Sequence, residues 1–263
     1  MKISILVVSF NPGEAIVSTV DSILAQENAD YEIIVKDGGS TDGSLERLPQ
    51  SDKIRVIVSK DRGIYDAMNQ AAQYATGDYA LYLNCGDTFP RNTVLEEVSA
   101  AICAAGKTEN TIYYGDCYVA NRNYTLHYPP VFDDYICLTM VLCHQATVYP
   151  TSLLKKRAFD VSYKIAADYE LYVYAYKHLY QLVHLPVVIA YYEGDGASET
   201  TKNRRLALTE RKRAMQTHFT KADYRKVWWK AQFHAVGLKQ LLVRSEFLYP
   251  LYKKLAKLYY KIK

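Results

Sequence analysis

The sequence has no apolar run approaching the roughly 18 to 20 residues that span a bilayer. Its first residues, MKISILVVSFNPGE, pass from a short apolar run into polar residues without a small-residue cleavage site. Neither integral membrane insertion nor a secretory leader is expected. The five cysteines, Cys85, Cys103, Cys117, Cys137 and Cys143, are odd in number and form no CxxC pair. That excludes a disulfide framework and a cysteine-based zinc site, and each is read as a small buried hydrophobe. No G-x-G-x-x-G follows the first apolar segment and no G-x-x-x-x-G-K occurs anywhere, which counts against a dinucleotide fold and a P-loop ATPase. The histidines show no metal-cluster spacing.

What is present is a chain of 263 residues, 49% hydrophobic and 23% charged, enough for a sizeable core. The charge is divided. Residues 202–263 hold 17 Lys and Arg against 3 acidic residues, and the first 201 hold 15 against 25, so an acidic body of −10 carries a basic tail of +14. A tail of that sign suits an anionic partner.

KISILVVS, YEIIVKD, IRVIVSK and DYALYLN are short, apolar and rich in Val, Ile, Leu and Tyr, and they alternate with segments of helical period. The pattern predicts an α/β fold, a mostly parallel sheet flanked by helices. The first helix starts near Pro12, with Ile16, Val20, Ile23 and Leu24 inward; a later one turns Ile64, Met68, Ala71, Ala72 and Ala75 inward. Further helices are expected over Thr93–Ala105 and Asp168–Leu179, and strands over Thr111–Val119 and HLPVVIAYY. The stretch around His127, Pro129 and Pro130 reads as an insertion around a site.

In open parallel sheets ligands gather beyond the carboxyl ends of strands. Four polar clusters fall there: Ser9-Phe10-Asn11, Asp37-Gly38-Gly39-Ser40-Thr41-Asp42, Asp61-Arg62-Gly63 and Asn84-Cys85-Gly86-Asp87. The second suits recognition of a base or ribose, with Asp37 for the base and Gly38 allowing close backbone approach. The same segment also reads as a turn in which Ser40 or Thr41 caps GSLERL, and Asp42 is as good a cap as a ligand. In LNCGD, Asp87 can hold Mg²⁺ or Mn²⁺ while diphosphate oxygens complete an octahedron.

Taken in order, VVSFN, VKDGGSTDGS, KDRGIYDAMNQAAQYATGDY and LNCGD, followed by CHQATVY and KIAADYEL, resemble family-2 glycosyltransferases of the GT-A fold, particularly bacterial surface-polysaccharide enzymes. The resemblance is dense over the first 90 residues. It implies that Asp61, Gly63, Asp66 and Asn69 line the donor sugar and diphosphate, with Ser9 and Asn11 nearer the nucleoside. Arg62 is open between a phosphate partner and a solvated loop charge. The family's Asp-x-Asp metal motif is depleted here, since Asn84 and Gly86 stand where acids are usual and Asp87 is the carboxylate left. Asn84 can offer a carbonyl to metal or sugar, and metal independence stays open.

Spacing alone would make Asp168 a helix N-cap; the resemblance instead matches it to the catalytic base. Glu170 is a secondary candidate or a surface charge. His144 and Gln145 match a pair suited to acceptor or phosphate contact. A single base with no protein nucleophile implies inversion at the anomeric carbon.

These readings divide the chain into a catalytic domain over 1–200 (donor half 1–90, acceptor half 91–200) and a tail over 201–263. In the tail, Leu248, Leu251, Leu255, Leu258 and Ile262 form an apolar stripe beside Lys253, Lys254, Lys257 and Lys261, with Trp228, Trp229, Tyr249, Tyr252, Tyr259 and Tyr260 as anchors. The helix suits an anionic membrane or docking on the body. The expected function is transfer of a hexose or N-acetylhexosamine from a nucleotide-diphosphate sugar, most simply a UDP-sugar, to a lipid-linked saccharide in surface-polysaccharide synthesis, by a cytoplasmic enzyme peripheral on the inner face of the cell membrane. Nucleic acid is not expected as a partner. The alternative is a noncatalytic nucleotide-sugar-binding or membrane scaffold protein.

Overall fold

The computed structural model describes residues 1–106, 108–178, 180–194 and 200–233. The elements begin β1 (Lys2–Ser9), α1 (Ala15–Leu24), β2 (Asp30–Asp37), β3 (Ile54–Val58), α2 (Ile64–Tyr74), β4 (Tyr79–Tyr82) and α3 (Val94–Ala104). They continue with β5 (Thr111–Val119), β6 (Tyr124–Leu126), α4 (Asp134–Thr139), β7 (Thr147–Pro150), α5 (Thr151–Lys156), α6 (Ala167–Lys177), β8 (Gln181–Tyr192), α7 (Thr201–His218) and α8 (Lys221–Phe233).

One sheet runs β3-β2-β1-β4-β7-β5-β6, and β8 pairs with β5. The expected parallel order holds from β3 to β4; beyond it β7 is antiparallel to β4 and β5, and β8 runs parallel to β5. β1 lies between two parallel partners and is buried from Ser4 to Ser9, which is why it reads as an unbroken apolar run. Its register sets Ser9 against Asp37, and Asp37 against Val58, so the loops after three strands emerge side by side. This is the geometric reason that polar clusters scattered over 80 residues share one edge.

Helix α1 begins at Ala15, three residues beyond Pro12, because Asn11 (φ 48) and Gly13 (φ 60) turn the chain first. Ile16, Val20 and Ile23 enter the core as expected. On α2 the inner face is Tyr65, Met68, Ala71 and Ala72, whereas Ile64, expected inward, is 47% exposed. GSLERL forms only a 3-10 turn, and neither Ser40 nor Thr41 caps it; Asp42 Oδ1 accepts from Ser44 N at 3.1 Å. Cys103 is exposed on α3, contrary to the reading of every cysteine as buried.

The described residues form two compact units, those within 1–132 and 141–214, and those within 133–140 and 215–233. In the first, α7 buries Ala207, Glu210 and Ala214, so the boundary drawn at residue 201 does not coincide with the unit boundary. In the second, Asp133 caps α4 through a 2.8 Å bond from Ile136 N, and α4 packs on α8. No helix among the described residues is long and apolar enough to cross a membrane. The stripe from Leu248 to Ile262 lies outside the described residues.

Candidate active site

A cleft of about 860 Å³ opens within the first unit at the carboxyl edge of β1 and β4. Ser9, Asp61, Gly63, Asn84, Asp87, His144, Gln145 and Asp168 all line it. Eight residues from five sequence clusters thus share one cavity.

Asp37 does not line it. Its carboxylate is fully buried and accepts four hydrogen bonds, from Gly39 N and Ser40 N at Oδ1 (2.8 and 2.7 Å) and from the Ser9 and Ser40 hydroxyls at Oδ2 (2.8 and 2.6 Å). Burial opposes its charge, but the bonds from Ser40, Ser9 and Gly39 outweigh that and hold its pKa below the ordinary value. In the structure these four bonds tie Asp37 to its own loop and to Ser9. Asn11 does similar work, with Thr41 N donating to its Oδ1 at 2.9 Å and its own N–H to Ser40 Oγ at 2.7 Å. At Gly38 a Cβ would sit 3.0 Å from both Asp61 Oδ2 and the Phe10 ring, so a side chain there would crowd Asp61.

Asp66 and Asn69, expected at the donor, are also hydrogen-bonded within the protein. Asp66 accepts from Arg62 N at 2.9 Å, and the Arg62 side chain holds its carboxyl below the usual range. Arg62 is thereby engaged within its own loop. Asn69 exchanges two bonds with the Phe159 backbone, at 2.9 and 2.8 Å, using both ends of its amide. Asp61 remains at the cleft, but it is ion-paired with Lys36, whose side chain is fully buried on β2 and also donates to Ser59 O at 2.7 Å. Lys36 was missed because a lysine in a strand resembles a surface charge; its neighbours Val35 and Asp37, both buried, were the available signal.

Asp87 is 4% exposed, accepts from Gln145 Nε2 at 2.7 Å and from Glu193 N at 3.1 Å, and is pushed up to about 6 by burial. Gln145, expected to meet acceptor or phosphate, lines the cleft and orients this carboxylate. Glu193, at the end of β8, was also missed: a Cβ on Gly86 (φ 98) would lie 2.9 Å from its Oε2, so the glycine in the depleted motif leaves room for a carboxylate from elsewhere. Asn84 Oδ1 is buried without a hydrogen-bond partner. This all-oxygen set suits a hard divalent cation, with one orphaned amide oxygen awaiting a donor or an ion. No group of three or more His, Cys, Asp or Glu suited to a metal forms among the described residues, so any ion here would draw its remaining ligands from phosphate and water.

On the far wall, α6 starts at Ala167 and its N-cap is Ala166. Asp168 is inside the first turn, and the capping that spacing assigned to it is done by others. Glu210 on α7 accepts from Lys164, Ile165 and Ala166 N–H at 2.8, 2.9 and 3.0 Å. Tyr65 donates to Asp168 Oδ1 at 3.1 Å. The His144 ring stacks on Tyr82 at 5.1 Å beside Phe159, with Nδ1 4.0 Å from Asp168 Oδ2 and neither nitrogen hydrogen-bonded. Burial lowers its pKa and outweighs the opposing pull of Asp168, so the ring is neutral at pH 7. Glu170 is neither a second base at the cleft nor a surface charge: it is buried and paired with Arg157 at 2.8 Å.

The family model for glycosyl transferase family 2 matches residues 4–155. A PGL/p-HBAD biosynthesis glycosyltransferase of Mycobacterium bovis is 30% identical over 209 residues, covering 75% of this chain and 79% of that protein. The fold resembles Staphylococcus aureus TarS 1-349 in complex with UDP-GlcNAc (TM-score 0.64, 18% identity, 86% of this chain and 70% of that one). It also resembles the mannosyltransferase PcManGT of Pyrobaculum calidifontis in complex with GDP-Man and Mn²⁺ (TM-score 0.66, 16% identity, 97% and 79%). With its sheet, its cleft and these matches in agreement, the chain belongs to glycosyl transferase family 2 and has the GT-A fold.

Proposed function

We propose that the protein transfers a hexose or N-acetylhexosamine from a nucleotide-diphosphate sugar, most simply a UDP-sugar, with inversion at the anomeric carbon, to a lipid-linked saccharide. The observation that carries the reading is that Asp87 and Asp168 line one cleft in different settings, one buried beside the depleted motif and one held at a helix start. In this reading Asp168 takes the proton of the acceptor hydroxyl as that oxygen bonds to the anomeric carbon. The bond from that carbon to the diphosphate breaks as the new one forms.

Ser9, Gly63 and Asn84 contact the donor, with Asp61 beside them; its pairing with Lys36 offsets the repulsion that a bare carboxylate would exert on phosphate. Asp87, Asn84 and Glu193 would hold Mg²⁺ or Mn²⁺, which when bound neutralises charge on the departing diphosphate. His144, neutral and unpartnered, offers one donor and one acceptor to a sugar hydroxyl.

A screen of nucleotide sugars for binding and hydrolysis, with and without Mn²⁺, tests the donor and metal readings; NMR of the product formed from an α-configured donor tests the stereochemistry. A β-linked product is expected, and an α-linked one contradicts inversion. A chain that binds a nucleotide sugar and never turns one over would favour the noncatalytic reading.

The basic tail supports attachment to an anionic membrane surface. Flotation with vesicles containing anionic lipid should recover the full chain and lose a chain ending at Phe233; equal recovery of both would remove that role.

A further inference from the structure

We propose that Tyr65 is a positioning residue for the base, fixing one oxygen of Asp168 so that the other faces the acceptor; this rests on the reading of Asp168 as the base. The two residues lie 103 positions apart, and the phenol donates to Oδ1 at 3.1 Å. Among the described residues, Oδ2 has His144 Nδ1 at 4.0 Å and no hydrogen bond. One lone-pair face of the carboxylate is thus occupied and the other is left for a substrate proton.

The helix that carries Asp168, α6, is held at its start from α7. Helix α6 has no side-chain cap of its own. Glu210 takes the N–H groups of residues 164 to 166. A phenol can donate to a carboxylate, whereas phenylalanine cannot. Tyr65 is 8% exposed, its ring 5.6 Å from that of Phe159, so the hydroxyl is not free to turn to solvent. Burial and the Asp168 charge push its own ionisation far above neutral pH, which keeps the proton on the phenol as a donor.

Tyr65 also joins the two halves of the site. It lies in the first turn of α2, two residues beyond Gly63, and Asp61 and Gly63 line the same cleft on the donor side. The element that shapes the donor wall therefore sets the base as well, so the distance from anomeric carbon to base depends on one helix rather than on two independent loops.

The test uses the full chain and the sugar nucleotide that wild type hydrolyses fastest. Tyr65→Phe keeps the ring and its packing and should lower kcat by roughly tenfold or more, as expected for losing a hydrogen bond to a charged group, while the Kd for UDP stays within about twofold. In an Asp168→Asn background the same change should alter the residual rate by less than about twofold, because the partner is no longer a base. Replacing Tyr65 with 3-fluorotyrosine, which keeps the hydroxyl, should retain wild-type kcat.

Wild-type kcat in Tyr65→Phe, a tenfold loss with 3-fluorotyrosine, or an equal loss in both backgrounds would overturn the inference. Full turnover by Asp168→Asn would instead bring down the base assignment, and this inference with it.

Discussion

Gln145 donates a 2.7 Å hydrogen bond to Oδ2 of Asp87 from 58 residues further along the chain. Glu193 N donates to the other oxygen at 3.1 Å, so the carboxylate proposed to hold metal is oriented from both sides, by the turn before β7 and by the end of β8. Orientation by such outer partners is what a metal-binding carboxylate requires.

Burial raises Asp87 from 3.8 to about 6, and the sign of the consequence is fixed. The folded state holds this proton more tightly than the unfolded chain, so its contribution to stability is complete below about pH 4 and is lost as pH rises to about 6. The loss amounts to about 3 kcal/mol at most, from roughly 1.4 kcal/mol per pH unit. Asp87→Asn should remove that slope in urea unfolding measured from pH 4 to 7. Cation binding needs the deprotonated form, so Mn²⁺ affinity by titration calorimetry should fall about tenfold per pH unit below 6 and be flat above it.

Glu210 carries three backbone N–H groups on one buried carboxylate. Glu210→Ala should cost about 3 kcal/mol in urea unfolding, and Glu210→Gln, which keeps one acceptor oxygen, about half that. A loss under about 0.5 kcal/mol for the alanine variant would mean that water replaces the carboxylate.

The pair of Lys36 and Asp61 is asymmetric, with side-chain exposures of 0% and 18%. Removing the partner of the more deeply buried charge leaves the worse orphan. Asp61→Asn should therefore destabilise more than Lys36→Met, the latter by about 3 kcal/mol. Chemical denaturation of the two variants side by side decides the order.

β1 and β4 were legible because parallel strands buried on both faces read as apolar runs, and β1 matches its expected span residue for residue. The residues beyond the strand ends were legible as a set but not one by one. Sequence does not show which polar side chains are also bonded within the protein, as Asp37, Asp66 and Asn69 are. The pairings that assemble the site are long-range: Tyr65 with Asp168, Gln145 with Asp87, Glu210 with the turn before α6. None follows a local period. Their partners become neighbours only when β5, β7 and β8 bring the second half of the chain against the first.

Asp168→Asn tests the central claim most directly, because it removes the proton acceptor while keeping shape and hydrogen bonding. With the preferred sugar nucleotide, kcat should fall by roughly 10²- to 10⁴-fold, with the Kd for UDP unchanged. Turnover within a few fold of wild type would contradict the account, since no other carboxylate has been assigned the proton.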